Sequence, residues 1–219
     1  MIVAVDGPAG SGKGTITKAI SKKLGLINLD TGATYRCVAL AMLKNGIELS
    51  DEDAIIKLVD NINIEFEITP QRDIIYLNGE DVTTAIRQKD VTAIVSPVSS
   101  IIPVRLKMVQ LQRKMAEGKD VIMEGRDIGT YVFPNADIKI YLDGTEEERT
   151  RRRYLENKEK CIECTLEEVR ENIRLRDEND KNKKIGALKK AEDAIFIDTT
   201  LLTIEQVVQR VEEIIKNAK

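Results

Sequence analysis

The chain has 219 residues, of which 42% are hydrophobic and 32% are charged, and its formal net charge is −3. These values are typical of a globular protein with one main core, and the slight negative charge argues against a general nucleic-acid binder, which needs a basic face. The absence of His excludes Ser-His-Asp triads, Cys-His pairs and His-based metal sites. Catalysis must therefore use Lys, Arg, Asp, Glu and backbone groups, which suits phosphoryl transfer.

The three cysteines, Cys37, Cys161 and Cys164, are odd in number and indicate reduced thiols. Cys161 and Cys164 have the CxxC spacing of redox and zinc sites. A structural zinc site needs four ligands, however, and the sequence has neither a second CxxC nor a His. No apolar run reaches the ~18 residues that span a membrane, and the chain starts directly with a strand. We therefore expect a cytoplasmic protein without a targeting segment, a membrane partner or a nucleic-acid partner.

Hydrophobic periodicity predicts short buried strands that alternate with helices along most of the chain. The predicted strands cover residues 2–5, 26–29, 120–123, 138–142 and 194–197. The predicted helices cover residues 14–24, 31–44, a stretch from about 88 that kinks near Pro97, and residues 103–117. Short apolar strands separated by helices are typical of a parallel sheet wound on both faces. We therefore predict an α/β fold with a doubly wound, five-stranded parallel sheet.

A different pattern interrupts this alternation at about residues 62–85. Residues 62–68 alternate strictly between apolar and polar side chains, and an Asn78-Gly79 pair follows the apolar run 74–77. This combination is typical of a hairpin with a tight turn. We predict a small antiparallel insertion in the α/β chain.

Capping patterns mark further helix starts, because a Thr or Ser side chain and an acidic or amide side chain three residues later satisfy free N–H groups reciprocally. The pattern occurs at Thr145 with Glu148, Thr165 with Glu168, Thr203 with Gln206 and, in similar form, Ser50 with Asp53.

The strongest motif lies between the first predicted strand and the first predicted helix, where the pattern G-x-x-x-x-G-K is typical of a phosphate-binding loop. Its residues are Gly7, Pro8, Ala9, Gly10, Ser11, Gly12, Lys13, Gly14 and Thr15. Their backbone N–H groups can converge on the phosphates of ATP, with the helix N-terminus adding positive charge, and Lys13 would reach the β- and γ-phosphates. A hydroxyl residue usually follows the Lys directly, but Gly14 comes first here, and this G-K-G-T form resembles nucleoside monophosphate kinases.

A phosphate-binding loop alone does not define a kinase. A GTPase would also need an N-K-x-D motif, and the nearest match, Asn157-Lys158-Glu159-Lys160, lacks the Asp, while no D-x-x-G motif occurs in the chain. Glu124, at the end of the strand 120–123, could orient a water bound to Mg²⁺.

Two further motifs follow predicted strands. Residues 30–36, D-T-G-A-T-Y-R, end in Arg36, which either clamps a phosphate bidentately or is a surface residue behind a helix cap. Residues 124–130, E-G-R-D-I-G-T, place Arg126 and Asp127 at the carboxyl end of a strand, where doubly wound folds bind ligands. Arg126 and Asp127 could instead form a simple ion pair.

The predicted helix that starts after Thr145 contains four arginines: Arg149, Arg151, Arg152 and Arg153. Because Glu147 and Glu148 stand four residues before two of these arginines, one interpretation is a solvated helix with surface ion pairs. The other interpretation is a lid that closes over ATP, excludes water and neutralises the charge of the transition state.

Together, the phosphate-binding loop, D-T-G-A-T-Y-R, E-G-R-D-I-G-T and Arg176-Asp177-Glu178-Asn179-Asp180 resemble the bacterial cytidylate kinases, and the resemblance spans nearly the whole chain. It implies a kinase that transfers a phosphoryl group from ATP, with Mg²⁺, to CMP or dCMP. The small-molecule partners would be ATP and CMP or dCMP, and we expect a monomer. The resemblance also implies catalytic roles for Lys13, Arg126, Arg152 and Arg176.

The resemblance assigns the binding of CMP to residues that match the family pattern. The acceptor phosphate would contact Arg36, Arg126 and Arg176. The cytosine edge would contact Ser96, Arg105 and Asp127. Thr31, Tyr35 and Asp180 complete the set, with Asp180 on a sugar hydroxyl. A carboxylate is the natural acceptor for cytosine N4, whereas uracil presents an acceptor oxygen there. Lys183 stands where the family usually has an Arg, and Glu124 where an Asp is common.

We expect one kinase domain over residues 1–219 with three parts. The core would comprise 1–30, 103–144 and 186–219, the monophosphate-binding segment with its antiparallel insertion 31–102, and the lid 145–185. Three alternatives stay open: a kinase for UMP or another nucleoside monophosphate, a kinase for a non-nucleotide metabolite, and a regulatory protein that binds ATP without transferring phosphate.

Overall fold

The computed structural model describes residues 1–68 and 73–218, so residues 69–72 of the predicted insertion and the C-terminal Lys219 lie outside the described residues. The strands are β1 (Ile2–Asp6), β2 (Ile27–Asp30), β3 (Ile64–Ile68), β4 (Asp73–Leu77), β5 (Glu80–Asp81), β6 (Val121–Gly125), β7 (Ile138–Asp143) and β8 (Ile195–Asp198). The α-helices are α1 (Lys13–Leu24), α2 (Thr31–Lys44), α3 (Glu52–Asn61), α4 (Lys89–Val98), α5 (Ile102–Ala116), α6 (Glu146–Glu159), α7 (Leu166–Lys181) and α8 (Ile204–Asn217). They form two compact units, residues 1–29 with 118–219 and residues 30–117.

The first unit is organised around a five-stranded sheet with the order β2-β6-β1-β7-β8. The central strand β1 pairs in parallel with both neighbours, Ile2 opposite Val121 of β6 and Val3 opposite Ile138 of β7, and β8 extends the sheet in parallel from β7. The predicted α/β fold with a doubly wound, five-stranded parallel sheet is confirmed. All parallel strands end at one edge, where their loops can form a binding site.

Apolar side chains of strands and helices form the core of the first unit. The core residues from the strands are Val3, Val5, Ile122, Ile138, Ile140, Leu142 and Ile197. Those from α1 and α8 are Ile16, Ile20, Val207, Val208, Val211 and Ile215. On α8 the spacing of its four core residues places them on one face, as expected for an amphipathic helix that covers a sheet.

The second unit contains the predicted antiparallel insertion as a three-stranded sheet in the order β3-β4-β5. The turn between β4 and β5 has positive φ at Asn78 (51°) and Gly79 (84°), which is the conformation that an Asn-Gly hairpin requires. Helix α2 is buried along most of its length and has Asp30 as its N-cap, which accepts a hydrogen bond from the Ala33 N–H. A short 3₁₀ helix, Ala85–Arg87, precedes α4.

Pro97 lies inside α4, one residue before that helix ends, and α4 and α5 meet at an angle of 100°. The predicted break near Pro97 is therefore present and displaced to the helix end, while Pro97 itself lacks the N–H that would continue the helical hydrogen bonds. No single helix among the described residues is long and apolar enough to cross a membrane, and only the bent pair α4 and α5 passes that test of length and composition jointly.

Two of the predicted capping patterns are wrong in detail. Helix α3 is capped by Asp51, which accepts from the Ala54 N–H, instead of Ser50. At α6, Thr145 caps the helix but the reciprocal bond is replaced, since the Thr145 N–H donates to Thr200 Oγ1. The boxes at Thr165 and Thr203 are complete.

Candidate active site

Residues 7–15, which we call the phosphate loop, run from the end of β1 into the first turn of α1 in the first unit. Gly12 is the N-cap of α1 and adopts a left-handed conformation with φ 88°. A Cβ at Gly7 would lie 2.0 Å from the Leu142 carbonyl oxygen, and one at Gly10 would lie 2.9 Å from the Arg149 carbonyl oxygen. The backbone therefore approaches its neighbours more closely than any side chain would allow, as a loop that turns its N–H groups toward phosphates requires.

Lys13, the first residue of α1, folds back over this loop and is buried. Its Nζ donates to the Pro8 carbonyl at 2.7 Å and to Ser11 Oγ at 3.2 Å. Burial, followed by the positive charge of Arg126, lowers the pKa of Lys13 well below its ordinary value, against the opposing effect of Glu124. An anion at the loop would offset both the cost of burying the Lys13 charge and its repulsion by Arg126, so this is a site for negative charge.

Asp6, the last residue of β1, is buried and holds the neighbouring loop that follows β6. Its two carboxylate oxygens accept from the N–H groups of Ile128 and Gly129, both at 2.8 Å. Burial raises the pKa of Asp6, and these two backbone hydrogen bonds oppose that rise. The loop continues into a π-helical turn, Ile128–Val132. Asp6 thereby fixes the backbone directly after Arg126 and Asp127.

Arg126 belongs to a buried charge cluster with α7. Its Nε donates to Asp180 Oδ2 at 2.8 Å, and Lys183 Nζ donates to Asp180 Oδ1 at 2.7 Å. Burial opposes the ionised form of Asp180, but Arg126 and Lys183 outweigh it and bring the pKa of that carboxyl to about 2. Burial favours a lower pKa for Arg126, but the negative charges of Asp180, Asp177 and Glu124 outweigh burial and raise the pKa. Asp180 and Arg126 are therefore both ionised at neutral pH.

The predicted catalytic residues fall into two places. Lys13, Arg126 and Arg176 lie within electrostatic reach of one another, since both arginines act on the pKa of Lys13. Arg152, in α6, instead donates to Thr199 Oγ1, directly after β8, at 2.9 Å and to Glu148 Oε1 at 2.9 Å. Glu148 also pairs with Arg151, so α6 carries the surface ion pairs of one sequence interpretation, with Arg151 bound to Glu148 instead of the predicted Glu147.

Sequence reasoning missed Asp177 as a functional residue and gave Arg149 only a general role in the lid. Asp177 Oδ1 accepts from the Ala9 N–H at 2.9 Å, and Arg149 Nη1 donates to the Ala9 carbonyl at 2.7 Å. Asp177 lies four residues after Ile173, which lies four after Val169, and all three are buried. The apolar periodicity of α7 therefore continues into a charged residue. A charged residue at a core position of a helix is the sequence signal that could have identified Asp177.

Two side chains at the phosphate loop, Glu124 and Thr15, have oxygen atoms that suit Mg²⁺. A Cβ at Gly14 would lie 3.0 Å from Glu124 Oε1, so this carboxylate approaches the start of α1. Thr15, which follows Gly14, is exposed. No group of three or more Asp, Glu or Cys side chains that could hold a metal occurs in residues 1–68 and 73–218. Mg²⁺ takes most of its ligands from phosphates and water in such sites, so one carboxylate and one hydroxyl fit it.

The second unit carries the other predicted residues of the CMP set. Arg36 forms an ion pair with Asp30, whose pKa is lowered because Arg36 outweighs the effect of burial. The Arg105 guanidinium lies 5.6 Å from the centre of the Tyr35 ring. Thr31, Tyr35 and Arg105 are buried.

In the same unit, the hydroxyl oxygen of Ser96 is buried and has no hydrogen-bond partner within the part of the chain that the structure describes, and the same holds for Gln112 Oε1. A buried hydroxyl without a partner is costly unless a ligand or water satisfies it.

The cytidylate kinase family model matches residues 3–217. The cytidylate kinase of Caldicellulosiruptor saccharolyticus is 48% identical over 212 residues, which cover 97% of this chain and 94% of that protein. That of Fusobacterium nucleatum is 49% identical over 219 residues, which cover 100% and 99% of the two chains. A crystal structure of an uncharacterized protein from Eubacterium ventriosum has a similar fold, with a TM-score of 0.54 at 10% identity, covering 99% of this chain and 98% of that one.

Proposed function

The chain belongs to the cytidylate kinase family, and we infer that it transfers the γ-phosphoryl group of ATP to CMP or dCMP, giving ADP and CDP or dCDP. A phosphate oxygen of the acceptor attacks the γ-phosphorus in line, and ADP leaves with the bridging oxygen. The attacking oxygen is ionised at neutral pH and needs no strong base. This reaction agrees with a chain that contains no His.

The observation that carries this proposal is the group of cations around the phosphate loop. Lys13 is buried at the start of α1, and Arg126 and Arg176 are near enough to depress its pKa. Cations that repel one another in this way are unfavourable by themselves and become favourable when polyphosphate enters. We propose that Lys13 contacts the β- and γ-phosphates and that Arg126 and Arg176 neutralise charge on the transferred group.

For the acceptor we propose phosphate contacts from Arg36, Arg126 and Arg176, each able to offer a planar pair of donors. Arg126 is already aligned by its hydrogen bond to Asp180, and Arg36 by its ion pair with Asp30. Pre-aligned guanidinium groups lose little conformational entropy on binding phosphate. Asp180 would also accept from a sugar hydroxyl, while Thr31 and Tyr35 complete the binding of CMP.

The proposed readers of the cytosine edge are Ser96, Arg105 and Asp127. The buried hydroxyl of Ser96, without a partner among the described residues, supports this assignment because a ligand would satisfy it. Asp127 is 5% exposed, and a buried carboxylate accepts well from the N4 amino group of cytosine. Uracil would oppose an acceptor to an acceptor there, so the wrong base leaves polar groups unpaired.

We propose that Mg²⁺ enters with ATP and that Glu124 and Thr15 hold it through bound water. The ion would supply charge neutralisation on the phosphates when bound. We also retain the three-part division of the chain, with a core, a monophosphate-binding segment over 31–102 and a lid over 145–185 that includes Arg152. A lid is needed because an open site would transfer the phosphoryl group to water.

We further propose a cytoplasmic monomer.

The test is ADP formation from ATP and Mg²⁺ with CMP, dCMP, UMP, AMP and GMP offered separately. We expect turnover of CMP and dCMP far above that of UMP. In Asp127→Asn the preference for CMP over UMP should fall by about tenfold to a hundredfold, the discrimination that one good base contact provides. Turnover led by UMP or AMP would refute the base readers and leave the kinase intact, whereas no turnover with any nucleotide would refute the proposed reaction.

A further inference from the structure

Both polar groups of one peptide residue in the phosphate loop are held by charged side chains from outside the loop. The Ala9 N–H donates to Asp177 Oδ1 at 2.9 Å, and the Ala9 carbonyl accepts from Arg149 Nη1 at 2.7 Å. Arg149 and Asp177 also bind each other through the same Nη1 and the second carboxylate oxygen. Ala9, Arg149 and Asp177 therefore form a closed triangle of hydrogen bonds, which we call the Ala9 clasp.

The Ala9 clasp is buried, and its two charges come from different helices. Arg149 lies in α6 and is 8% exposed, and Asp177 lies in α7 and is 7% exposed. Arg149 also donates from Nε to the Gly144 carbonyl at 3.0 Å, which ties it to the end of β7. A buried pair of this kind adds little net stability, since desolvation offsets the attraction, but it constrains geometry because few arrangements satisfy every donor and acceptor.

Apolar packing and close backbone contact also hold the phosphate loop against α6 and α7. The Ala9 side chain packs in a small cluster with Val169 and Ile173 of α7. The next residue, Gly10, has φ 75° and lies so near the Arg149 carbonyl that a Cβ would approach it to 2.9 Å. Helices α6 and α7 therefore contact the loop through backbone, apolar and charged groups at two consecutive residues, so that the loop cannot shift unless these helices shift with it.

We propose that Arg149 and Asp177 are positioning residues that set the conformation of the phosphate loop and thereby couple the placement of α6 and α7 to the binding of ATP. They contact the loop backbone at Ala9, so they would act through Ala9 and its neighbours. The inference rests on the proposed role of residues 7–15 in binding ATP. It adds that the helices of the proposed lid are part of the apparatus that shapes this loop before ATP arrives.

A purely structural ion pair would affect stability and every ligand alike, whereas a positioning role affects ATP selectively. The decisive measurement is equilibrium binding of ATP and of CMP, each alone, to three variants: Asp177→Asn, Arg149→Met and the double variant. The double variant leaves no buried charge without its partner, so it should fold even where a single variant does not. Glu171→Gln, an exposed carboxylate on α7, is the matched control.

We expect the dissociation constant for ATP to rise by about tenfold to a hundredfold in each folded variant, because a small misplacement of binding groups has effects of that size. The dissociation constant for CMP should stay within about threefold of the parent value, and Glu171→Gln should match the parent protein for both ligands. Hydrogen exchange should accelerate in the peptide that spans the phosphate loop and stay unchanged in the peptide that spans β8. The rise in the dissociation constant for ATP in the double variant should be smaller than the product of the two single rises, because both changes disrupt the same Ala9 clasp.

An ATP constant within about twofold of the parent value in the folded double variant would overturn the inference, and so would equal weakening of ATP and CMP. Lys13→Met separates this result from failure of the proposed function. Loss of ATP affinity in Lys13→Met with none in the clasp variants would refute the clasp alone. Unchanged ATP affinity in Lys13→Met would refute the proposed role of the loop itself.

Discussion

Helices α6, α7 and α8 all begin at a threonine cap in the same unit, but they bury different kinds of side chain. Helix α8 buries four apolar side chains, among them Val211 and Ile215. Helix α6 buries only Arg149 and Thr150. Helix α7 is intermediate, since it buries Val169 and Ile173 at one end and Asp177 and Asp180 at the other.

The difference separates stability from placement. Burying a large aliphatic side chain contributes about 1.5–3 kcal/mol and tolerates small displacements of the helix. Buried charge pairs contribute little net stability but hold particular atoms, such as the Ala9 carbonyl and Asp180 Oδ2, at fixed distances. The proposed functional residues of these helices lie on the charge-attached pair, and none lies on α8.

The largest effect on stability is expected from Ile215→Ala in α8. Ile215 is fully buried in the core cluster, so the substitution should lower the free energy of unfolding by about 2–5 kcal/mol through lost burial and a cavity. Urea unfolding measures this change, with Ile204→Ala, a residue that is 54% exposed, as the control near zero. The affinity for ATP in the folded variant should not change. A selective loss of ATP binding would break the comparison by giving α8 a functional role.

A smaller effect is expected from acid acting on α7. The pKa of Asp180 lies at about 2 in the folded protein, below its ordinary value of 3.8. Because the folded pKa is the lower one, this carboxylate stabilises the fold above about pH 4 and loses that contribution as the pH falls toward 2, by about 2 kcal/mol in total.

In Asp180→Asn the loss should be present already at pH 6, where Arg126 and Lys183 lack their counter-ion. The gap in unfolding free energy between variant and parent should then narrow from pH 4 to pH 2. A gap that stays constant over this range would show that the carboxylate does not titrate as its partners require.

The smallest effects are expected at the caps, and they sharpen the comparison. Thr203→Ala removes a complete, reciprocal capping box and should lower the free energy of unfolding by about 1 kcal/mol. Thr145→Ala should have about half that effect, because the Thr145 N–H is bound to Thr200 and Glu148 is bound to arginines. Thermal unfolding of both variants tests this order, and a larger loss in Thr145→Ala would contradict it.

Local signals explain how much of the fold could be read from the sequence. Helix α2 was predicted with its bounds because Asp30 caps it and Asn45-Gly46 ends it, and both signals act within a few residues. The hairpin was predicted because Asn78 and Gly79 suit positive φ. The strands β6, β7 and β8 extend one or two residues beyond their predicted ends, into acidic residues and Gly125, whose backbone still pairs with a neighbouring strand.

Tertiary partners explain what the sequence left out. The box at Thr145 is incomplete because Thr200, distant in the chain, takes its N–H. The Ala9 clasp joins three separate segments, and no spacing rule relates Ala9 to Arg149 and Asp177. Asp6 shows the same limit, since its two acceptor bonds reach the loop after β6. The motifs located the phosphate loop, whereas the groups that support it became visible only in the folded chain.

The strand order has a consequence for how the chain is completed during synthesis. Strand β1 finds its partners only when β6 and β7 have been made, since Ile2 pairs with Val121 and Val3 with Ile138. The second unit is one continuous segment, residues 30–117, and its own core can assemble while β1 still waits. Domains generally fold as units, and the segments of the first unit stand on both sides of this continuous one. The backbone of Ile2–Asp6 therefore has no sheet partner until residues 121–143 have been made, although it is the first strand of the chain.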